Sequence, residues 1–160
     1  MVRVYRGHRP EIASFPDIPD ILIQLKKRFK LGLLSDGYLD VQQRKLEALG
    51  LSHHFDAVVF SDQWGKNAWK PSAHPFRAVL ELLSTNAAQG VYVADNPAKD
   101  FLGARRAGMS SIRVRLPKGV YTAMEPETSD HAPNLEVTNL GQLEDTLLMI
   151  ESMIDRDRAL

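Results

Sequence analysis

The sequence predicts an α/β protein: a mainly parallel sheet with helices on both faces. Three observations carry that expectation. Short apolar runs rich in branched residues recur along the chain, stretches with helical spacing separate them, and glycines or cap-forming residues mark the joins. Strands linked through helices need crossovers, and right-handed crossovers yield a parallel sheet.

The expected strands are residues 31–35, 57–60, 91–94, 111–114 and 135–138. The first ends Leu33-Leu34-Ser35 and the third reads Val91-Tyr92-Val93-Ala94, close to the continuous apolar run of a strand covered on both faces. Helical spacing falls over 18–29, 38–49, 73–83, 98–107 and 140–154. Gly50 and Gly108 follow two of these as stops, Ser72 and Asn96 precede two as N-caps, and Pro97 suits a first helical position. Residues 117–134, with Pro117, Pro126 and Pro133, have no clear period and read as a long surface loop. At 160 residues the chain fits a single domain, 1–160, with no internal repeat and no low-complexity tract.

Composition narrows the function classes. Twenty basic residues balance twenty acidic ones, so no overall field draws the chain to nucleic acid or to an anionic membrane. There is no cysteine, which removes disulfides, zinc-thiolate sites and thiol nucleophiles and agrees with a reducing compartment. Met1-Val2-Arg3-Val4-Tyr5-Arg6 lacks the apolar core of a signal peptide, and no run is long enough for a membrane span. A soluble cytoplasmic protein is expected.

Three strand ends carry chemistry. Asp95 ends the third strand and Asp100 lies in the helix that follows, which puts two carboxylates at the carboxyl edge of the sheet, where α/β proteins bind ligands. Such a pair suits a hard cation such as Mg²⁺; it equally suits a turn and the dipole of a helix start. Ser35-Asp36-Gly37 ends the first strand at the same edge. The hydroxyl of Ser35 and the amides of Asp36 and Gly37 could hold a phosphate oxygen, although the tripeptide is also simply a good turn. Lys70, in Lys70-Pro71-Ser72 before a helix, could stabilise phosphoryl charge or hold a carboxylate, whereas a lone lysine is usually only solvated.

Together, and in this order, a strand-ending Ser, a Lys-Pro before a helix and a strand-ending Asp-x-x-x-x-Asp resemble the haloacid dehalogenase-like hydrolase superfamily, phosphatase type. Ser35 matches its second motif, Lys70 its third, and Asp95 with Asp100 its fourth. The resemblance spans roughly residues 16–114, because Gln43-Arg44-Lys45-Leu46-Glu47-Ala48-Leu49-Gly50-Leu51 with Phe55-Asp56, and Ala104-Arg105-Arg106-Ala107-Gly108, are also similar to the family. It implies a Rossmann-like three-layer α/β/α sandwich and a Mg²⁺-dependent attack by an aspartate on the phosphorus of a small phosphorylated metabolite. In that scheme Ser35 binds phosphate, Lys70 stabilises nucleophile and transition state, Asp95 holds Mg²⁺, and Asp100 supports the metal or its waters.

The family's first motif, an upstream Asp-x-Asp, is missing. The chain's one Asp-x-Asp, Asp155-Arg156-Asp157, is expected in a polar tail after the last helix, in the wrong place. No nucleophile is identified, so the chain is expected to hydrolyse phosphomonoesters poorly or not at all, or to be a noncatalytic phosphate-binding or assembly module. In the family the missing strand lies between those ending in Ser35 and Asp95. Residues 1–16 read as a linker or cap remnant, and alternating residues 2–6 as a replacement strand that would bring Arg6 or His8 to the vacant position. Strand exchange in a homodimer, or a partner supplying the first strand, would fill the same slot.

Other signals are weaker. His53-His54 lacks a carboxylate at ligand spacing and reads as two surface histidines. Gly65-Lys66-Asn67 is not a phosphate loop. Trp64 and Trp69 are expected to pack against the neighbouring helix.

Overall fold

In the computed structural model, residues 10–158 are described. Among the described residues five strands and five helices follow in the order α1 (Ile18–Lys26), β1 (Gly32–Ser35), α2 (Leu39–Leu49), β2 (Ala57–Phe60), α3 (His74–Leu82), β3 (Val91–Ala94), α4 (Asp100–Ala107), β4 (Ser110–Val114), β5 (Leu135–Val137) and α5 (Leu143–Arg158). This is the expected α/β order. No helix among the described residues is long and apolar enough to cross a membrane.

Every strand pairing among the described residues is parallel, and these pairings form two groups. β1 pairs with β2, with Leu33 opposite Val58; β3 pairs with β4 and β4 with β5, with Val93 opposite Ile112 and Ile112 opposite Leu135. Among the described residues β1 and β3 are not hydrogen-bonded to each other. They nevertheless run in the same sense. Lys70 bonds through its amide to Asp36, just after β1, and through its ammonium to Asp100, just after β3, so both strands end at one edge.

Two apolar cores lie among these elements. One joins Leu34, Ala57 and Val59 of the first group to Phe76 and Val79 of α3 and Ala104 and Ala107 of α4. The other joins Ile112 and Val137 of the second group to Leu25 of α1 and Leu143 and Ile150 of α5. Helices therefore cover the sheet from both sides, giving the three-layer arrangement. α3 spans the divide, since Phe76 also meets the Tyr92 ring of β3 edge to face, with centroids 4.7 Å apart. Gly103 lets α4 approach it: a Cβ there would stand 2.3 Å from Phe76 Cε2. Between β1 and β3 lies a cavity of about 530 Å³ whose walls come from both strands, α1, α3 and α5.

Some boundaries differ from expectation. α4 begins at Asp100 rather than at residue 98, because Asn96 accepts from the Ala98 amide through its side chain and from the amides of Lys99 and Asp100 through its carbonyl, forming a turn before the helix. Ser72 likewise bonds the His74 amide, but the residue flanking α3 is Ala73. α5 runs to Arg158, so Asp155-Arg156-Asp157 is helical rather than a tail. Asn139 and Gln142 form a reciprocal capping box on the short turn that leads into it. The stretch 117–134 is the irregular connection expected, with one short turn at Ser129–His131. Its start is held by Arg113, fully buried on β4, which donates to the carbonyls of Tyr121 and Met124. The expectation that residues 2–6 fill a strand position lies outside the described residues.

Candidate active site

The carboxyl ends of β1, β2 and β3 converge with the start of α4 and the loop before α3. Strand ends concentrate polar groups here because the apolar runs stop at one edge. Ser35 closes β1, Ser61 follows β2 and Asp95 follows β3. Gly37, with φ of +121°, turns the chain after Ser35 in a conformation that side chains disfavour.

Lys70 is the hub. Its ammonium donates to Asp100 Oδ1 at 2.5 Å and to the Tyr92 hydroxyl at 3.1 Å, and both members of the ion pair are almost fully buried. Asp100 Oδ2 accepts from the Asn96 amide at 3.1 Å. Both oxygens of Asp100 are thus engaged by the protein, and in this arrangement the residue fixes Lys70. Burial, then the charges of Asp100 and Asp36, push the Tyr92 hydroxyl well above its ordinary pKa, so it stays protonated.

Asp36 turns inward. Oδ1 accepts from the Ser61 hydroxyl at 2.7 Å and the Lys70 amide at 2.9 Å, while Oδ2 accepts from Lys99 at 3.0 Å. Burial acts to raise its carboxyl, but these bonds and the Lys99 charge outweigh it and hold the group below the usual carboxylate range. Asp36 therefore contributes a locked turn rather than a phosphate contact through its side chain. The Ser35 hydroxyl donates to Gln42 Oε1 at 3.0 Å.

Asp95 is different. It is raised above its ordinary value, first by burial and then by the neighbouring Asp100 charge. A half-buried carboxylate beside a second one is stabilised by a cation placed against it. The donor set fits a divalent cation in part: Mg²⁺ takes one or two carboxylates and completes its shell with waters and substrate oxygens. Among the described residues no three acidic or histidine side chains gather into a metal group.

All of the residues singled out from sequence, Ser35, Asp36, Gly37, Lys70, Asp95 and Asp100, thus lie on elements that meet at this edge. Sequence reading missed Ser61, Lys99, Tyr92, Gln42 and Asp62. Ser61 and Lys99 were findable, since one follows a strand end and the other sits between the two aspartates. Asp62 accepts from the Trp69 indole at 2.8 Å and the Leu39 amide at 2.9 Å, tying the loop before α3 to the start of α2. Trp64 meets His74 of α3 edge to face yet stays exposed, whereas Trp69 meets Tyr38 before α2 rather than α3. His54 is buried rather than superficial, because its turn tucks under α1, where Lys26 bonds its carbonyl.

These features are accompanied by similarity to known proteins. A sequence profile described as haloacid dehalogenase-like hydrolase matches residues 2–114. The chain belongs to that family. It is 37% identical over 137 residues to a glyceraldehyde 3-phosphate phosphatase of Methanopyrus kandleri, a match that covers 85% of this chain and 57% of the relative. It is 32% identical over 144 residues to a phosphoserine phosphatase of Thermus thermophilus, covering 89% and 55%. The solved L-2-haloacid dehalogenase of Xanthobacter autotrophicus superposes with a TM-score of 0.71 at 28% identity, covering 91% of this chain and 63% of that one. The chain spans little more than half the length of the curated relatives it matches.

Proposed function

We propose that this chain carries the phosphate-binding and charge-stabilising half of a Mg²⁺-dependent phosphomonoester phosphatase that acts on a small phosphorylated metabolite. The observation that carries this reading is the buried Lys70–Asp100 pair, set beside Asp95 at the sheet edge where Ser35 and Gly37 end β1. An ammonium fixed by a carboxylate needs no reorganisation when charge develops on a transferring phosphoryl group. The Ser35 hydroxyl, turned from Gln42, and the amides of the Ser35-Asp36-Gly37 turn would hold a phosphoryl oxygen. Asp95 would hold Mg²⁺ directly or through water, and Asp100 would support it. When bound, Mg²⁺ neutralises charge on phosphate oxygens.

The attacking carboxylate is not among these residues, so the 160 residues alone hydrolyse phosphomonoesters weakly or not at all. Supplying an Asp-x-Asp strand upstream, in cis or as a separate polypeptide, should switch on Mg²⁺-dependent hydrolysis of p-nitrophenyl phosphate. That gain should vanish with Lys70→Met. A second reading is a noncatalytic phosphate-binding or assembly module, in which Asp100 serves only to fix Lys70, since both of its oxygens are engaged by the protein. Under it the added strand produces no hydrolysis. Strong hydrolysis by the unmodified chain that disappears with Asp95→Asn would overturn the claim that a nucleophile is lacking.

A further inference from the structure

The loop between β2 and α3 carries a cation for which the site at the sheet edge has no use. Lys70 and Lys99 are each paired with a carboxylate, Asp100 and Asp36. Lys66 forms no ion pair with a described residue. Its ammonium stands instead over two aromatic rings, 5.3 Å from the centroid of Tyr38 and 6.0 Å from that of Trp69. The rings meet edge to face with centroids 5.5 Å apart, so they make one corner for the charge.

Local sequence fixes that corner beside the phosphate-binding edge. Tyr38 follows Gly37 and Trp69 precedes Lys70, so each ring belongs to the residue next to one of the edge residues on its own segment. The two segments are also bound to each other. The Lys70 amide donates to Asp36, while Asp62 accepts from the Trp69 indole through one oxygen and from the Leu39 amide through the other. The loop is closed by short turns, in which the Ala68 amide donates to the Gly65 carbonyl and the Trp69 amide to that of Lys66. Lys66 therefore projects from a fixed base.

An ammonium against aromatic faces is attracted by their quadrupoles and gives up part of its water there, yet it keeps N–H donors on its outer side. It can receive an anion and has none from the protein. Charge on the phosphoryl group is met by Lys70, so a cation one residue further out along both segments faces what the phosphoryl group carries. A single ammonium matches the one charge of a carboxylate. A second phosphoryl group brings roughly two charges at neutral pH and needs further donors.

We propose that Lys66, seated on Tyr38 and Trp69, determines specificity by taking a carboxylate on the phosphorylated substrate. This rests on the phosphatase reading, since the phosphoryl group must be held at Ser35 and Lys70, and it narrows the substrate to phosphorylated carboxylic acids over esters with a neutral tail.

Two ligands whose carbon–phosphorus bond resists phosphatase chemistry provide the test: phosphonopropionate, with a carboxylate at its chain end, and propylphosphonate, with a methyl group there. Each is titrated into the full chain with Mg²⁺ by isothermal calorimetry, and NMR follows the indole N–H of Trp69. Phosphonopropionate should bind about fivefold more tightly, the upper range for an ion pair at an exposed lysine, and should shift the indole signal further. Lys66→Gln should bring the ratio to about one, and Lys66→Arg should keep it. Lys27→Gln removes the same charge beside the opposite end of α3 and should also keep it. Lys66 is exposed, so these variants retain the fold, which far-ultraviolet circular dichroism checks. Equal affinity of the two ligands for the wild type overturns the proposal and leaves the phosphatase reading standing. So does a preference that survives Lys66→Gln. If propylphosphonate fails to bind, or binds Lys70→Met as well as the wild type, the phosphate site is misassigned and the proposal falls with it.

Discussion

The two strand groups meet in two ways within a few residues of each other. At the carboxyl edge they are tied by side chains: Lys70 joins Asp36 to Asp100, and Lys99, at the start of α4, reaches back to Asp36. Below that edge, β1 and β3 face each other across the cavity with no shared backbone hydrogen bond among the described residues. The difference teaches that the site edge is held in register independently of the sheet beneath it. α3 assists from one face, since it packs on both groups through Val79 and Phe76.

The strongest way to break that contrast is to cut the tie. Lys70→Met leaves Asp100 with a buried charge and no counterion, a change that typically costs about 3–5 kcal/mol. Urea unfolding should show a large fall in midpoint with little change in slope. A loss below about 1 kcal/mol would mean that the lysine bridge does not hold the two groups together.

Asp36 is the second tie and should matter less. Asp36→Ala strands the Ser61 hydroxyl, the Lys70 amide and the Lys99 ammonium, at a cost of about 1–3 kcal/mol. The pH dependence has a definite sign. A carboxyl whose folded value is depressed stabilises the fold fully above its ordinary value of 3.8 and loses that contribution as pH falls through the folded value. The wild type should therefore approach Asp36→Ala in stability under strongly acidic conditions. A gap between the two that is constant from neutral to acidic pH would show that the carboxylate's charge is not what ties the edge.

How much of this was legible in the sequence differs between the two regions in the same way. The edge residues announce themselves, because a strand written as Val91-Tyr92-Val93-Ala94 must end somewhere, and Asp95 marks where. Ser35 and Lys70 acquired meaning by order and spacing. Their partners did not, since Ser61 and Gln42 become neighbours only when β2 and α2 fold against β1. The start of α4 was misplaced because Asn96 can cap a helix or close a turn with similar hydrogen bonds, and the choice depends on Asp100 capturing its amide. The separation of β1 from β3 was legible only by resemblance. No residue of β1 or β3 states that the two strands are not paired with each other, although the apolar character of β3 is that of a strand with neighbours on both sides.

Underneath, Gly103→Ala tests the helix pair that spans the divide. A Cβ at that position would fall 2.3 Å from Phe76 Cε2, and Phe76 in turn meets Tyr92 beside Lys70. The expected destabilisation is about 1–3 kcal/mol, read by thermal unfolding. Phosphate affinity should fall less than it does with Lys70→Met, because the ring can tilt while the bridge at the edge persists. If instead phosphate binding is lost and stability is not, α3 positions the site more directly than the lysine does.

The smallest effect separates the two carboxylates bonded to lysines from Asp95, which among the described residues is not. Asp95 accepts no lysine, and burial followed by the Asp100 charge raises it above its ordinary value of 3.8. A raised carboxyl works in the opposite direction from Asp36: its penalty is absent below the ordinary value and grows as pH rises through the folded value, remaining in full at neutral pH. Asp95→Asn should therefore raise the melting temperature of the metal-free chain by about 1–3 °C at pH 7 and leave it unchanged near pH 3. Added Mg²⁺ should stabilise the wild type at neutral pH by binding the folded state, and this gain should be missing in Asp95→Asn. If the variant is instead less stable without metal, Asp95 is a structural turn residue, and the raised carboxyl that distinguishes it from Asp36 is not the reason it stands at the edge.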